Sequence, residues 1–216
     1  MKRLFLPLLI LISSALYIFI IPDAPLLLNL PFKLIPMWLI ITYAFIQFRG
    51  KGSSTSWIIL TGLVFCMFGD GLLHWFLIGL SAFLIGHIFY LIGFFKEWQF
   101  SLIRVLSIIP IGFYAIFIGH ILTESLIENG NSALFIPVCL YTIIISTMAW
   151  SAIMTGNKWA ITGSILFVIS DSILAWNRFV SDIPYSSVLI MTTYYTAQFF
   201  IARSLKFFQK GSNSLY

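Results

Sequence analysis

Charged residues are scarce in this sequence. Only 9% of the 216 residues are Asp, Glu, Lys or Arg, whereas 60% are hydrophobic and the mean hydropathy is +1.02. A soluble globular domain has too little interior to hide that much apolar surface, which excludes a soluble enzyme or binding module. Ten-residue stretches of strongly alternating hydropathy, the pattern of an outer-membrane barrel, are also missing. The composition therefore predicts an all-α integral membrane protein.

Cysteine and histidine are equally sparse. Cys66 and Cys139 both lie in apolar stretches, so a disulfide framework is not expected. His74, His87 and His120 are scattered, without the spacing of metal ligands. We therefore assign neither a metal site nor a cofactor. The sequence also lacks GxSxG, P-loop and HExxH motifs, which leaves serine hydrolases, NTPases and zincins without support.

Eight apolar segments fill almost the whole chain, and each is close to the ~20 residues that a helix needs to cross a bilayer. They cover residues 4–21, 32–48, 56–73, 76–95, 102–122, 132–154, 159–177 and 185–205. The connections are short, so residues 1–216 are predicted to form one bundle of eight transmembrane helices. The first segment resembles a signal peptide but has no clear cleavage site. We interpret it as a retained first span.

Basic residues mark one side of the predicted bundle. Two of the twelve Lys and Arg, Lys33 and Arg178, lie at the opposite set of segment ends. The positive-inside rule therefore places both termini in the cytoplasm of a multi-pass cell-membrane protein. The net charge of +5 follows from this topology and does not indicate nucleic-acid binding. The ten residues on the predicted cytoplasmic side are Lys2, Arg3, Arg49, Lys51, Lys96, Arg104, Lys158, Arg203, Lys206 and Lys210.

Two aspartates, Asp70 and Asp171, lie inside apolar segments. A charge at bilayer depth costs several kcal/mol and is rarely retained without a function. Residues 61–75 (TGLVFCMFGDGLLHW) align without gaps on residues 162–176 (TGSILFVISDSILAW), with the two aspartates in register. We favour a degenerate internal repeat of spans 1–4 and 5–8 over a coincidence of apolar composition.

Both aspartates are predicted to be catalytic. At 1.5 Å per residue they lie about 18–20 Å from the cytoplasmic edge, in the outer half of the bundle. If their carboxyl groups face each other in an apolar cavity, one should stay protonated at neutral pH. Its partner, held ionised by Lys33 or Arg178, can orient water or stabilise a cation. Polar residues near or below this depth, in the same or in other spans, are predicted to bind substrate: Lys33, His87, Arg178, Tyr194, Tyr195 and Gln198.

A purely structural interpretation of the same residues is open at this point. Asp70 can pair with Lys33, and Asp171 with Arg178, so that two salt bridges merely hold the bundle together. The two cations can also be interfacial anchors that reach toward the lipid headgroups.

Several segments of the chain are distinctive enough to compare with known families. They are KLIPM (33–37), FGDGLL (68–73), GLSAFLIGHIFY (79–90), STMAWSA (146–152), FVISDSILAWNRF (167–179) and YYTAQFFIA (194–202). In this order they resemble the YhhN/TMEM86 family, and the resemblance extends from the second span to the eighth.

The resemblance implies an activity. Family members characterised as enzymes are lysoplasmalogenases, membrane hydrolases that cleave the vinyl ether bond of lysoplasmalogens. The expected products are a fatty aldehyde and a glycerophospho-ethanolamine or -choline. Such hydrolysis requires a protonated carboxylic acid, a carboxylate and a dry pocket, and Lys33 or Arg178 would hold the phosphate.

Two other classes of protein fit the residues without the resemblance. Buried carboxylates at matched depth in an internal repeat also suit a small proton-coupled transporter or a lipid-binding membrane protein. A structural or chaperone-like membrane protein is the second alternative, but buried acids argue against it.

Overall fold

The computed structural model of the chain describes residues 2–21, 25–48 and 53–208. Within these ranges the protein is all-α, with nine α-helices, one short 3₁₀-helix (Ser132–Leu134) and no strand. This confirms the predicted helical class. The helices are α1 Lys2–Ile20, α2 Leu26–Phe48, α3 Ser54–Leu72, α4 Phe76–Lys96, α5 Leu102–Leu106, α6 Ile108–Glu128, α7 Phe135–Met154, α8 Lys158–Phe179 and α9 Ser186–Phe208.

The lengths and composition of these helices define a multi-pass membrane protein. Six helical segments among the described residues are long and apolar enough to cross a bilayer: Leu28–Phe48, Ser54–Leu72, Phe76–Lys96, Leu102–Glu128, Ser132–Met154 and Lys158–Phe179. The apolar part of α1, Phe5–Ile20, is shorter. Helix α9 has the length of a span but carries polar side chains, and Tyr194, Tyr195 and Gln198 among them are buried inside the bundle. Three of the predicted cytoplasmic cations, Arg49, Lys51 and Lys210, lie outside the described residues.

Local sequence explains where two central helices begin. Ser53 precedes α3, and its side chain accepts a hydrogen bond from the backbone N–H of Ser56. Asn157 precedes α8 and accepts from the N–H groups of Trp159 and Ala160. In both helices a side chain thus satisfies N–H groups that have no partner in the first turn.

The fifth predicted segment, residues 102–122, differs most from the structure. The chain breaks at Ser107 into the five-residue α5 and the long α6, which continues to Glu128, six residues beyond the predicted end. Pro110 lies in the first turn of α6, where an N–H group has no helical partner. Its ring therefore fits the start of a new helix and does not interrupt one.

Two antiparallel helix pairs, α3 with α4 and α8 with α9, pack most closely. A Cβ atom added to Gly62 of α3 would lie 2.6 Å from the Tyr90 ring of α4 and 3.0 Å from the Gly86 carbonyl. A Cβ atom added to Gly163 of α8 would lie 2.9 Å from the Ala197 carbonyl of α9. Glycine at these crossings lets the backbones approach more closely than any side chain would allow.

Helix α6 stands apart from the main core. The principal hydrophobic cluster draws on α1 to α4 and α7 to α9. The C-terminal half of α6 instead joins a small separate cluster formed by Leu122, Leu126 and Val138. A cleft remains between α6 and the rest of the bundle.

Candidate active site

Asp70 lies in the last turn of α3, and its side chain is almost completely buried. The residue is 5% exposed. The Lys33 ammonium of α2 lies 3.6 Å from Asp70 Oδ1, and the Tyr194 hydroxyl of α9 donates to Oδ2 at 2.6 Å. Lys33 Nζ also donates to the backbone carbonyl of Asp70 at 3.2 Å. A cation is well placed here because the last carbonyls of a helix lack partners and carry partial negative charge.

Lys33 is itself held in place by α9. The Tyr195 hydroxyl donates to the Lys33 carbonyl at 2.7 Å, and the Lys33 side chain is only 14% exposed. Helices α2, α3 and α9 are thus joined around one ion pair. The salt bridge considered for Asp70 is present in the structure.

Asp171 has a different environment. It lies two turns from the end of α8 and is half-buried, and the Tyr141 hydroxyl of α7 donates to its Oδ2 atom. No Lys or Arg among the described residues lies within ion-pair distance of Asp171. The Arg178 guanidinium is exposed and stacks on the Phe76 ring, 4.0 Å from the ring centre. The Asp171–Arg178 salt bridge is therefore not formed, because the guanidinium lies over an aromatic ring of α4.

Asp171 lines the cleft between α4, α6, α7 and α8. The cleft is open on one side, and about 620 Å³ of empty space lies in and in front of it. Its polar lining comes from the side chains of Tyr114, Tyr141, Thr142, Asp171 and Ser172. The walls are otherwise apolar and include Leu80, Phe83, Ile118, Leu122, Val138 and Ile145. Asp171 thus places a carboxyl group at the side of an apolar cleft.

Aromatic rings separate the two carboxyl groups. The Tyr194 ring, whose hydroxyl binds Asp70, lies 5.3 Å from Phe167, which lies 4.5 Å from His87. His87 in turn lies 5.4 Å from the ring of Tyr141, whose hydroxyl binds Asp171. Asp70 does not line the cleft, so the two carboxyl groups do not share one cavity.

The remaining predicted site residues lie behind the cleft wall. His87 is fully buried, and its Nδ1 atom lies 2.7 Å from the Phe83 carbonyl. Gln198 accepts a hydrogen bond from the Tyr90 hydroxyl at 2.7 Å and is also fully buried. The structure thus groups Lys33, Tyr194 and Tyr195 around Asp70. It leaves Arg178 at the cleft rim, beside the lining residue Phe76.

Two residues that line the cleft, Tyr141 and Tyr114, were not among the site residues predicted from the sequence. Tyr141 donates a hydrogen bond to Asp171. The Tyr114 hydroxyl lies 2.5 Å from Oγ of Ser172, the residue that follows Asp171. A hydroxyl group within an apolar span needs a hydrogen-bond partner and therefore favours the interior of the bundle. Applied to residues 102–122 and 132–154, this criterion would have found both tyrosines. Among the described residues, no group of three His, Cys, Asp or Glu is placed to hold a metal ion.

The fold and the cleft define a class: a helical multi-pass membrane protein with one acidic group in an apolar cleft. The chain belongs to the YhhN family, whose model matches residues 28–205. No solved protein structure matches this chain.

Curated relatives give names within that family. The chain is similar to lysoplasmalogenase TMEM86B of Mus musculus, with 32% identity over 157 residues that cover 71% of this chain and 65% of the mouse protein. It is 31% identical to lysoplasmalogenase TMEM86B of Homo sapiens over 151 residues, covering 68% of this chain and 62% of the human protein. Identity to lysoplasmalogenase TMEM86A of Bos taurus is 33% over 161 residues, covering 68% and 64% of the two chains. The matches thus span less than two thirds of the length of these relatives.

Proposed function

We propose that this protein is a lysoplasmalogenase, which hydrolyses the vinyl ether bond of a lysophospholipid within the membrane. The observation that carries the proposal is Asp171, a carboxyl group that lines an apolar cleft and has no cationic partner among the described residues. Apolar surroundings without a counter-charge favour the neutral acid, since an isolated buried charge is costly. A neutral acid beside a hydrocarbon chain can protonate a carbon–carbon double bond. The names of the curated relatives support the same reaction.

The geometry favours different tasks for the two aspartates. Asp171 is the catalytic acid because it reaches the cleft. Asp70 pairs with Lys33 and accepts from Tyr194, so it suits the role of an ionised group that stabilises a cation through the electrostatic field of the site. Protonation of the β-carbon yields an oxocarbenium ion, which water converts to a hemiacetal. The hemiacetal then breaks down to a fatty aldehyde and a glycerophospho-alcohol.

The lipid has a natural orientation in this site. Its alkenyl chain would lie between the apolar walls of the cleft, and its phosphate would bind Arg178 at the rim, next to the headgroup region. Lys33 is less available for phosphate because Asp70 already engages it. His87, Tyr194, Tyr195 and Gln198 would shape the site from behind the wall and would not touch the lipid.

We further propose that residues 1–216 form a single domain of eight membrane spans, with both termini in the cytoplasm of a cell-membrane protein. Helices α1 and α9 would add the first and last spans to the six apolar ones. The buried position of the polar residues of α9 supports its inclusion. With this topology the cleft opens toward the outer leaflet, because its lining comes from Leu73 after α3, the end of α8 and the starts of α4 and α7.

The packing of α3 on α4 and of α8 on α9 supports a parallel internal repeat. Gly62 and Gly163, which mark the two closest crossings, are 101 residues apart, as the two aspartates are. Gly62 meets the Gly86 carbonyl and the Tyr90 ring, whereas Gly163 meets the Ala197 carbonyl and Ile201. The two partner pairs, Gly86 with Ala197 and Tyr90 with Ile201, are both separated by 111 residues.

The second half therefore carries ten additional residues around its outer hairpin. The α3–α4 connection is short, residues 73–75, whereas residues 180–185 connect α8 to α9. The spacing of 111 residues also relates Phe83 to Tyr194 and His87 to Gln198. Polar and aromatic residues thus recur at equivalent positions of α4 and α9, which supports a pseudo-two-fold axis along the membrane normal.

The activity is tested with purified protein in lipid nanodiscs and a 1-alkenyl lysophospholipid. We expect release of fatty aldehyde, and we expect no cleavage of the matched 1-alkyl lipid, which has the same chain and head group but no double bond. A transporter or lipid-binding protein would release aldehyde from neither lipid. That result would exclude the proposed function.

A further inference from the structure

Tyr114 of α6 lines the cleft beside Asp171, and its hydrogen bonding defines what its oxygen can do. The Ser172 hydroxyl donates its single proton to the Val168 carbonyl at 2.5 Å. In the 2.5 Å contact between Tyr114 and Ser172, the tyrosine must therefore be the donor. The Tyr114 oxygen consequently keeps its lone pairs free to accept a hydrogen bond from a molecule in the cleft.

Asp171 and Tyr114 together offer two acceptors to one water molecule. Asp171 and Ser172 are adjacent in α8, and both line the cleft with Tyr114. Tyr141 donates to Asp171 Oδ2, which leaves Oδ1 for the cleft. After Asp171 has given its proton to the lipid, a water molecule can donate one hydrogen to the carboxylate and the other to Tyr114. Most other cleft residues are apolar, so few other groups could orient this water.

We propose that Tyr114 binds the water that captures the oxocarbenium ion, and that Asp171 serves both as the acid and as the base. The neutral Asp171 first transfers its proton to the β-carbon, and the π electron pair forms the new C–H bond. The water oxygen then bonds to the cationic α-carbon, and one water proton returns to Asp171 and regenerates the acid. Breakdown of the hemiacetal moves the hydroxyl proton to the departing glycerol oxygen. The sum is vinyl ether plus water giving aldehyde plus alcohol, with no other reactant.

This inference rests on the proposed hydrolysis and makes a distinct prediction about reversibility. When water capture is fast, protonation of the β-carbon is not reversed. When capture is slow, the Asp171 carboxylate can remove a proton from that carbon and restore the vinyl ether. In D₂O, the restored lipid then carries deuterium at its β-carbon. The deuterium content of the recovered substrate therefore shows whether a substitution has slowed protonation of the β-carbon or capture of the cation by water.

The experiment compares Tyr114→Phe with Tyr141→Phe in D₂O, with mass spectrometry of the lipid recovered at half conversion. Tyr114→Phe should release aldehyde about 10- to 100-fold more slowly, as expected for a misplaced reactant. Its recovered lipid should contain deuterium. Tyr141→Phe, the matched control that loses a hydroxyl from the same cleft, should be slower without deuterium in the lipid, because it impairs the proton donor. The unaltered protein should release aldehyde at full rate without exchange.

Three results would overturn the inference: a normal rate in Tyr114→Phe, a slow rate without deuterium, or exchange already present in the unaltered protein. If Tyr114→Phe cannot be purified in folded form, Ser172→Ala decides, since it removes the acceptor that orients the Tyr114 hydroxyl. This variant should release aldehyde more slowly and leave deuterium in the recovered lipid. A Ser172→Ala variant without that deuterium would equally overturn the inference. Failure of the proposed function itself is distinguishable, because then the unaltered protein would release no aldehyde.

Discussion

Asp171 and Asp70 have different partners, and the difference predicts different mutant phenotypes. Asp171→Asn keeps the size of the side chain but cannot donate a proton to carbon, so aldehyde release should fall by about 10²–10⁴-fold with little loss of stability. Asp70→Asn leaves the Lys33 ammonium without its counter-charge. We expect it to lose about 3 kcal/mol of stability, whereas activity at low temperature should fall by no more than about tenfold.

Turnover rates and thermal unfolding midpoints of the two variants, measured in the same detergent, check this prediction. Near-normal turnover in Asp171→Asn would contradict the assignment of the acid. If Asp70→Asn were as inactive as Asp171→Asn while folding equally well, the two carboxyl groups would share the proton chemistry.

The roles of Arg178 and Lys33 can be distinguished in the same way. Arg178 is exposed at the cleft rim, so Arg178→Met should raise KM for the lysophospholipid about tenfold and leave kcat nearly unchanged. Lys33→Met removes the partner of Asp70 and should lower the unfolding midpoint with a smaller change in KM. Steady-state kinetics over a range of lipid concentrations distinguish the two. A KM effect confined to Lys33→Met would instead assign phosphate binding to Lys33.

Sequence alone located both aspartates because a charge within an apolar run is visible without any structure. It could not assign their partners, since these depend on helix rotation and on side-chain reach. Arg178 and Lys33 were equivalent candidates by sequence, yet one stacks on Phe76 and the other reaches Asp70. Tyr141 belongs to a helix 30 residues before Asp171, and only the packing of α7 on α8 brings them together.

At the scale of helices, the close crossings predict which glycines resist substitution. Gly163→Ala would push a methyl group to 2.9 Å from the Ala197 carbonyl, which is backbone and cannot rotate away. We expect a loss of about 1–3 kcal/mol, typical of overpacking. Gly112→Ala on α6 is the matched control, because nothing lies within 4 Å of the added carbon.

Thermal unfolding of both variants tests this expectation. Gly112→Ala should be neutral or stabilising by up to about 1 kcal/mol, since alanine favours helix more than glycine does. Equal midpoints for the two variants would show that α8 and α9 do not approach as closely as the structure indicates.

Helix boundaries were predictable wherever hydropathy changes sharply. Helices α4 and α8 begin within one residue of the predicted segments, 76–95 and 159–177. The end of α6 was not predictable in this way, because its last turns are polar on the exposed side but still helical. Backbone hydrogen bonding can extend a helix beyond its apolar part, and hydropathy alone does not reveal this polar extension.

For the whole molecule, the charge distribution predicts the direction of insertion. In a background with Cys66→Ala and Cys139→Ala, a cysteine at position 53 should react with an impermeant maleimide only from the cytoplasmic side. A cysteine at position 182, between α8 and α9, should react only from outside. Labelling of intact cells and of inverted vesicles provides the measurement. The reverse pattern would contradict the proposed orientation of both termini.

The helical class and the six long apolar helices were largely predictable, because each of these helices is a nearly independent apolar segment. The cleft was not predictable, because it results from α6 packing on a separate small cluster. The proposed repeat was only partly visible in the sequence. The register of the aspartates could be read there, but the ten-residue offset proposed between α4 and α9 rests on the contacts of Gly62 and Gly163.

The ion pair of Asp70 and Lys33 has a consequence for biogenesis. Both residues emerge from the ribosome well before Tyr194 and Tyr195 of α9, whose hydroxyls complete their surroundings. A nascent chain that has not yet inserted α9 therefore holds a buried charge pair with unfinished hydrogen bonding in the bilayer. The polar surroundings of the ion pair are therefore completed only when α9 packs against α2 and α3.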